Sequence, residues 1–304
     1  MYDLQRASEE VHGFGMSNVY QYIAGKMAEM SKSQVKIAKY ILENPNAVPF
    51  FTVGKLAKVA GVSEATVVRF ATSLGYSGYP ELQQYMQDSV QQQLTTAERL
   101  QMSQRVYEEE EQGVYEIFQD DMANIKSTME KLDVQAFRQA VDALLQAKKI
   151  YIAANRSAMS LGVFLQYYLQ IILGNAILLQ SVETIAERLH DLDEGDVVVG
   201  ISFARYTKST IQILSYAKDK GATTIAVTDN FLSPLIPYAR ISLTASSQMP
   251  TFIDSFVAPL SLLNALITFV GKEKAEDFHV RLEKLEEIWE HFDIFHMKER
   301  PGKE

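Results

Sequence analysis

Five short runs rich in β-branched residues alternate with helical patterns between residues 149 and 245, and no other feature constrains the fold of this chain as tightly. The runs read KIYIAA (149–154), AILL (176–179), DVVVGIS (196–202), TTIAVT (223–228) and RISLTA (240–245). Helical periodicity fills 157–173, 182–190 and 208–220 between them, and a long apolar helix over 254–270 follows the last. A helix through Phe137, Val141 and Leu145 leads into the first run. Strands that alternate with helices make right-handed βαβ units. The parallel sheet they build is covered on both faces, so its strands read as apolar runs. The pattern predicts an α/β region doubly wound around a parallel five-stranded sheet.

Upstream of Asp120 the texture is helical throughout. Ser31 or Ser33 can cap a helix through Val35, Ile37, Ala38, Ile41 and Leu42 that Asn44-Pro45 stops. A second helix covers Val53 to Ala60, a third reads SEATVVRFATSL from Ser63, and Glu81 to Leu94 forms a further polar one. Ser63 is a good N-cap, because its hydroxyl can accept a free N–H of the first turn. Residues 91 to 113 are rich in Gln and Glu with few large apolar groups and read as a linker, with Glu108 to Glu111 as its solvated face. A chain of 304 residues suggests two domains at roughly 150 residues each. The boundaries are placed at 15–90 for an all-α domain, 91–119 for a partly helical linker, 120–272 for the α/β domain and 273–304 for a C-terminal helix and tail.

Apolar residues at 47 % and charged residues at 22 % are ordinary for a soluble globular protein. Cysteine is absent, which excludes disulfides, thiolate nucleophiles and cysteine-ligated metal and fits a reducing cytoplasm. The start, MYDLQRASEE, is polar and acidic, unlike a signal peptide. Residues 161–179 are broken by Gln166, Gln170, Gly174 and Asn175, and the apolar run 257–270 is fourteen residues long, so neither would span a bilayer. A cytoplasmic protein with no membrane partner is expected. The histidines at 12, 190, 279, 291 and 296 show no metal-ligand spacing, and no G-x-S-x-G, P-loop or complete G-x-G-x-x-G occurs. No catalytic residue, metal or cofactor is assigned.

The formal charge of −9 argues against nucleic acid until it is divided along the chain. Residues 15–79 carry seven basic side chains against three acidic, whereas residues 91–304 carry 21 against 30. A compact basic module on an acidic body is the asymmetry of a nucleic-acid binder. The module contains VGKLAKVAGVSEATVVRFATSL (53–74). Two helices crossing through a tight turn need a small residue at the contact, a glycine in the turn and apolar residues inside the second helix. Ala57, Gly61 and Val67 meet those needs, with Leu56, Val62 and Phe70 completing the core. Val67, Phe70, Ala71 and Leu74 then share one face of the second helix, leaving Ala65, Arg69, Thr72 and Ser73 opposite, with Thr66 at the edge. Arg69 can bond a guanine edge bidentately, and small side chains allow methyl contacts. Lys55 and Lys58 can reach phosphates. The expected contacts to double-stranded operator DNA are Lys55, Lys58, Ser63, Glu64, Ala65, Thr66, Arg69 and Ser73.

The order SKSQVKIAKYILENP, then VGKLAKVAGVSEATVVRFATSLGYSGYPEL, resembles the N-terminal domain of the RpiR/MurR family of bacterial transcription regulators over Val19 to Met86. The resemblance implies a recognition helix, here Ser63 to Leu74, that docks in the major groove. It also implies a C-terminal sugar-isomerase-type (SIS) domain, which the chain resembles over Phe137 to Val270. Ligands of such sheets sit where strands end and helices begin. The family's phosphosugar pocket has a glycine- and serine-rich loop after the first strand and a Ser-x-Ser-Gly-x-Thr loop after the third. Here those loops read Ala153-Ala154-Asn155-Arg156-Ser157 and Ser202-Phe203-Ala204-Arg205-Tyr206-Thr207. Ser157, Ser202 and Thr207 match. The first loop lacks the glycines, and Ala204 and Arg205 replace the second serine and the glycine.

Both departures put an arginine beside the expected anion site, so the ligand class widens from sugar phosphates to other small acidic metabolites. The expected binding set is Asn155, Arg156, Ser157, Ser202, Arg205 and Thr207. A third junction, Thr228-Asp229-Asn230, is also readable. The expected function is a transcriptional regulator that senses a small anionic effector and acts as a homodimer or homotetramer through its apolar helices at 161–173 and 256–270. The rivals are a phosphosugar isomerase with an appended helical domain, with Glu183 and His190 as candidate bases, and a scaffold whose SIS-like domain only dimerises.

Overall fold

The computed structural model describes residues 19–45, 47–91, 95–100, 110–179, 185–249 and 251–296. They form two compact units, one of the described residues up to Met122 with Gln248–Ser255, the other of Ala123–Ser247 with the described residues from Phe256 on.

The first unit is helical. Its elements are α1 (Val19–Lys26), α2 (Lys32–Glu43), α3 (Val53–Ala60), α4 (Glu64–Ser73) and α5 (Tyr79–Gln91). Ser31, rather than Ser33, starts α2 through a capping box: its Oγ accepts the Gln34 N–H while Gln34 Oε1 accepts the Ser31 N–H. Thr52 starts α3 by accepting the Lys55 N–H at 3.1 Å. Gly61 ends α3 in the left-handed region at φ 64°, so that its N–H reaches Lys58 O and the Val62 N–H reaches Ala57 O. That Schellman arrangement turns the chain sharply into α4. Ile37, Ile41, Leu56, Val67, Phe70, Leu82 and Met86 share the core. Helix α5 clamps the turn before α3 from below: the Tyr79 hydroxyl donates to Phe51 O at 2.8 Å, and the amides of Gln83 and Gln87 donate to Phe51 O and Pro49 O.

Segment Gln248–Ser255 is held in this unit by Arg99, whose side chain is only 5 % exposed. Its Nε donates to Thr251 O, and its Nη2 donates to Ile253 O and to Asp254 Oδ1 at 2.8 Å. A buried guanidinium needs its donors satisfied in this way. Helix α6 (Glu110–Lys131) runs through residue 119, where the linker was expected to end, and the division between units falls inside it.

The second unit opens with α7 (Val134–Gln146), capped by Asp133 Oδ1, which accepts the N–H groups of Gln135 and Ala136. Then follow β1 (Ile150–Ala154), α8 (Met159–Ile172), β2 (Ala176–Leu179), α9 (Ile185–Leu189), β3 (Val197–Ile201), α10 (Lys208–Asp219), β4 (Thr223–Thr228), β5 (Ile241–Thr244), α11 (Val257–Glu273) and α12 (Ala275–His291). The five strands form one parallel sheet in the order β2-β1-β3-β4-β5. β1 and β3 are buried along their whole length, as strands covered on both faces must be. Gly162 lets α8 lie close to β1, because a Cβ there would meet the Ala154 Cβ at 2.6 Å. Much of the apolar surface of α8 and α11 is used inside the unit, where Leu161, Leu165 and Leu169 share a core with Leu262, Leu263 and Leu266. Among the described residues no helix is long and apolar enough to cross a membrane.

Gly61→Ala isolates the turn's conformational demand, because nothing lies within 4 Å of the added Cβ. The substitution should cost roughly 1–2 kcal/mol, the usual penalty of a left-handed non-glycine residue, read as a lower urea midpoint. An unchanged midpoint would contradict the turn geometry.

Candidate functional site

Two surfaces carry chemistry, one in each unit. In the first, α4 buries Val67, Phe70 and Ala71 and exposes Glu64, Ala65, Val68, Arg69, Thr72 and Ser73, with Thr66 half-buried at the edge. Ser63 stands at the N-cap in extended conformation, and its carbonyl accepts the N–H groups of Thr66 and Val67. Its hydroxyl does not cap the helix as the sequence suggested. It pairs instead with the Thr66 hydroxyl at 2.8 Å, the nearer polar partner one turn on. Arg69 Nη2 makes a long bond of 3.4 Å to that same Thr66 oxygen.

Two of the expected contacts are tied to neighbouring helices. The Ser73 hydroxyl donates to Phe70 O and accepts from Gln34 Nε2 at 2.9 Å. The Glu64 carboxylate lies against Gly54, 2.8 Å from where a Cβ would stand, at the positive start of α3. Lys55 Nζ sits 4.8 Å from the centre of the Phe51 ring, and Lys58 is exposed. Val68, 42 % exposed, is the member of this face that the sequence reading missed. Its signal was its position three residues after Ala65 and four before Thr72. An apolar group among short polar ones suits a thymine methyl.

In the second unit the strand order reverses between β1 and β3, so the loops after these strands part and leave a crevice at their C-terminal ends. The expected binding residues lie on these two loops. Asn155 Nδ2 donates to Thr210 Oγ1 at 2.9 Å, tying the first loop to the start of α10. The buried Ser202 hydroxyl accepts the Thr207 N–H at 3.2 Å and closes the second loop on itself. Thr207 is the N-cap of α10, but its side chain makes no capping bond. Ser157 lies exposed in a 3₁₀ turn, Arg156–Ala158, ahead of α8. Neither hydroxyl is consumed as a cap.

Arg156 and Arg205 are both exposed and both left-handed, with φ of 56° and 62°. Next to the second loop, just past the end of β4, Asp229 accepts from the Tyr206 hydroxyl at 2.7 Å, the Thr228 hydroxyl and the Asn230 N–H. Burial pushes the Asp229 carboxyl above the ordinary carboxylate range, against the pull of those hydrogen bonds. The sequence reading named this junction without foreseeing the link to Tyr206.

Of the two isomerase candidates, only His190 lies among the described residues, and it is not at this crevice. Glu183 lies outside the described residues, and His190 follows α9 just before β3 begins, at the opposite end of the sheet. A groove of 710 Å³ opens at that opposite end too, lined by Lys149, Gln166, Gln170, Asn175, Ala176 and Arg188 beside edge strand β2. No group of His, Asp and Glu among the described residues could hold a metal ion.

Comparison with known proteins matches residues 17–93 to the helix-turn-helix domain of the rpiR family and residues 143–269 to the SIS domain. The HTH-type transcriptional regulator HexR of Pseudomonas aeruginosa is 29 % identical over 286 residues, covering 90 % of this chain and 95 % of its own. An uncharacterized HTH-type transcriptional regulator of Caldanaerobacter subterraneus, TTE0211, is 30 % identical over 279 residues, covering 90 % and 97 %. Among solved structures, the Vibrio vulnificus NanR protein complexed with ManNAc-6P aligns with a TM-score of 0.55 at 22 % identity, covering 92 % of this chain and all of that one.

Asp229→Asn tests the electrostatics of the crevice. A carboxyl whose folded pKa is raised holds its proton more tightly folded than unfolded, so its contribution falls as pH climbs from the unfolded value through the folded one. Asparagine keeps an acceptor for Tyr206 and removes the buried charge. The melting temperature should therefore rise at pH 7, and the gain should shrink toward pH 4. A gain that grew on acidification would refute the assignment.

Proposed function

The chain belongs to the RpiR family of helix-turn-helix transcriptional regulators, and from that premise we propose that its SIS domain senses a small anionic metabolite and thereby sets how tightly operator DNA is held. The observation that carries this reading is the pair of left-handed arginines at the ends of β1 and β3. A non-glycine residue in that region costs about 1–2 kcal/mol, and an arginine adds nothing the backbone needs there. What it adds is a planar fork of donors for phosphate or carboxylate. Ser157, Ser202, Thr207 and the first amides of α10 complete a set of donors suited to an anion. A sugar phosphate heads the candidates, because NanR is complexed with one.

We read the site as one of binding without turnover. The support is that His190 stands at the other end of the sheet and that the Asp229 carboxyl beside the second loop is engaged by the Tyr206 and Thr228 hydroxyls and the Asn230 N–H. A regulator of this kind works beside bacterial DNA in the cytoplasm. It needs two copies to read paired half-sites about one helical turn apart.

On the DNA side Ala65, Val68, Arg69 and Thr72 read bases, while Lys58 meets phosphate. Arg69→Ala should lower affinity for the protein's own promoter by about 1–3 kcal/mol and relax one base position. Lys58→Ala should weaken all sequences alike and flatten the salt dependence. If both variants bind as wild type in fluorescence anisotropy, the face is misassigned.

On the ligand side, N-acetylmannosamine 6-phosphate, glucose 6-phosphate and inorganic phosphate are titrated into the protein–promoter complex. Arg205→Ala should abolish the response and Arg205→Lys should restore little of it, because a point charge cannot replace the fork. Arg156→Gly should weaken the response while raising the stability of the ligand-free protein by about 1 kcal/mol, through relief of the left-handed strain. Equal responses from all variants would remove the crevice from consideration.

A further inference from the structure

The loop after β3 faces two ways. Arg205 is exposed on it, whereas Phe203 is turned into the core and is 4 % exposed. The Phe203 ring packs on the Phe256 ring, with centroids 5.3 Å apart and planes at 49°. Phe256 is the N-cap of α11, and one peptide bond joins it to Ser255, the last residue of the segment that belongs to the helical unit. That segment is fastened at successive residues. Arg99 donates to Thr251 O, Ile253 O and the Asp254 carboxylate, and the buried Ser255 hydroxyl donates to Asp121 Oδ1. Arg99 itself lies eight residues beyond Gln91, where α5 ends. A ring contact, a peptide bond and a buried ion pair therefore lead from the β3 loop to the stretch that follows the helix-turn-helix.

We propose that this run of contacts couples the effector site to operator binding, with Phe203 and Phe256 as the positioning residues that decide whether Arg99 stays fastened. The coupling deepens the regulator reading and rests on it. An anion drawn to Ser202 and Arg205 pulls on the loop that holds Phe203 between them. A close-packed core passes such a displacement on rather than absorbing it. Phe256 cannot follow Phe203 without carrying Ser255 and Asp254 along, since they are its neighbours in the chain. A shift of about 1 Å takes an N–H···O bond out of its normal range. A buried guanidinium that loses its acceptors cannot stay where it is. Arg99 thus has two arrangements, fastened and released, which is the discrete element that coupling between sites requires. The fastened one restrains the chain after α5, so less freedom is lost when operator is held, and it is the tight-binding form. By linkage, the effector weakens operator binding by the same factor as operator weakens effector binding.

The test is a double-mutant cycle read as affinity for the protein's own promoter, with no effector added. Fluorescence anisotropy compares wild type, Phe203→Leu, Arg99→Gln and the double variant, each first checked for wild-type far-UV circular dichroism. Leucine keeps the position apolar and removes the ring contact. Each single change should weaken binding about tenfold, within the usual range for coupled sites. The double variant should bind no more weakly than Arg99→Gln, because both changes release the same element. Phe256→Leu and Asp254→Asn stand in where the first choices do not fold, and should give the same pattern. Calorimetry of DNA-free protein with N-acetylmannosamine 6-phosphate, glucose 6-phosphate and inorganic phosphate reports the ligand site by itself. A probe that binds wild type should bind Arg99→Gln about tenfold more tightly and no longer release its promoter, an effect that a merely structural role would not produce. A non-additive cycle with no probe bound would sink the ligand reading and leave the coupling standing. Additive effects would overturn the coupling, as would leucine variants that bind promoter as wild type does, or an Arg99→Gln protein that a probe still releases.

Discussion

Strands covered on both faces of a parallel sheet carry no charged side chains and only those hydroxyls that find a partner, and that constraint distributes the chemistry of the second unit. β1 and β3 are buried from end to end, and their residues are apolar or glycine. Charged groups can then gather only where strands stop. The reversal of strand order between β1 and β3 makes one of those ends a crevice. Asn155, Arg156, Ser202 and Arg205 follow these two strands directly, so their placement at one end of the sheet is a consequence of topology rather than of any spacing in the sequence. The Asn155–Thr210 and Ser202–Thr207 bonds then hold the loops in shape.

That same constraint explains what could be read from the sequence. A strand buried on both faces is apolar whatever its neighbours are, so each of the five runs lies within one or two residues of its strand. The helix-turn-helix was legible for a related reason: Ala57, Gly61, Val67 and Phe70 act over a few residues, and periodicity records local packing. Long-range pairing leaves no such trace. Arg99 finds Asp254 155 residues away, and Tyr206 finds Asp229 only because β3 and β4 are adjacent. Ser63 shows the complementary limit. Its position at the N-cap was readable, but its hydroxyl had two partners within reach, and sequence does not rank them.

The recognition helix gains from the contacts that seemed to remove residues from it. Ser73 anchored to Gln34 and Glu64 lodged against Gly54 fix α4 at its two ends. The middle of the helix, with Ala65, Val68, Arg69 and Thr72, is then offered in one orientation. The Ser63–Thr66–Arg69 chain restrains the one long side chain among them, though a 3.4 Å bond on an exposed arginine is weak enough to yield to a guanine edge. Ordering side chains before binding reduces the entropy lost on association, typically about 0.5–1.5 kcal/mol for each long side chain.

One feature remains that local rules disfavour: arginines at φ 56° and 62°. The left-handed arginines cost a few kcal/mol together, a sizeable part of the roughly 5–15 kcal/mol that keeps a domain folded, and glycine would remove the cost without altering the loop. The charge is what glycine would lose, and the proposed role of these loops in holding an anion is what gives the strain a use.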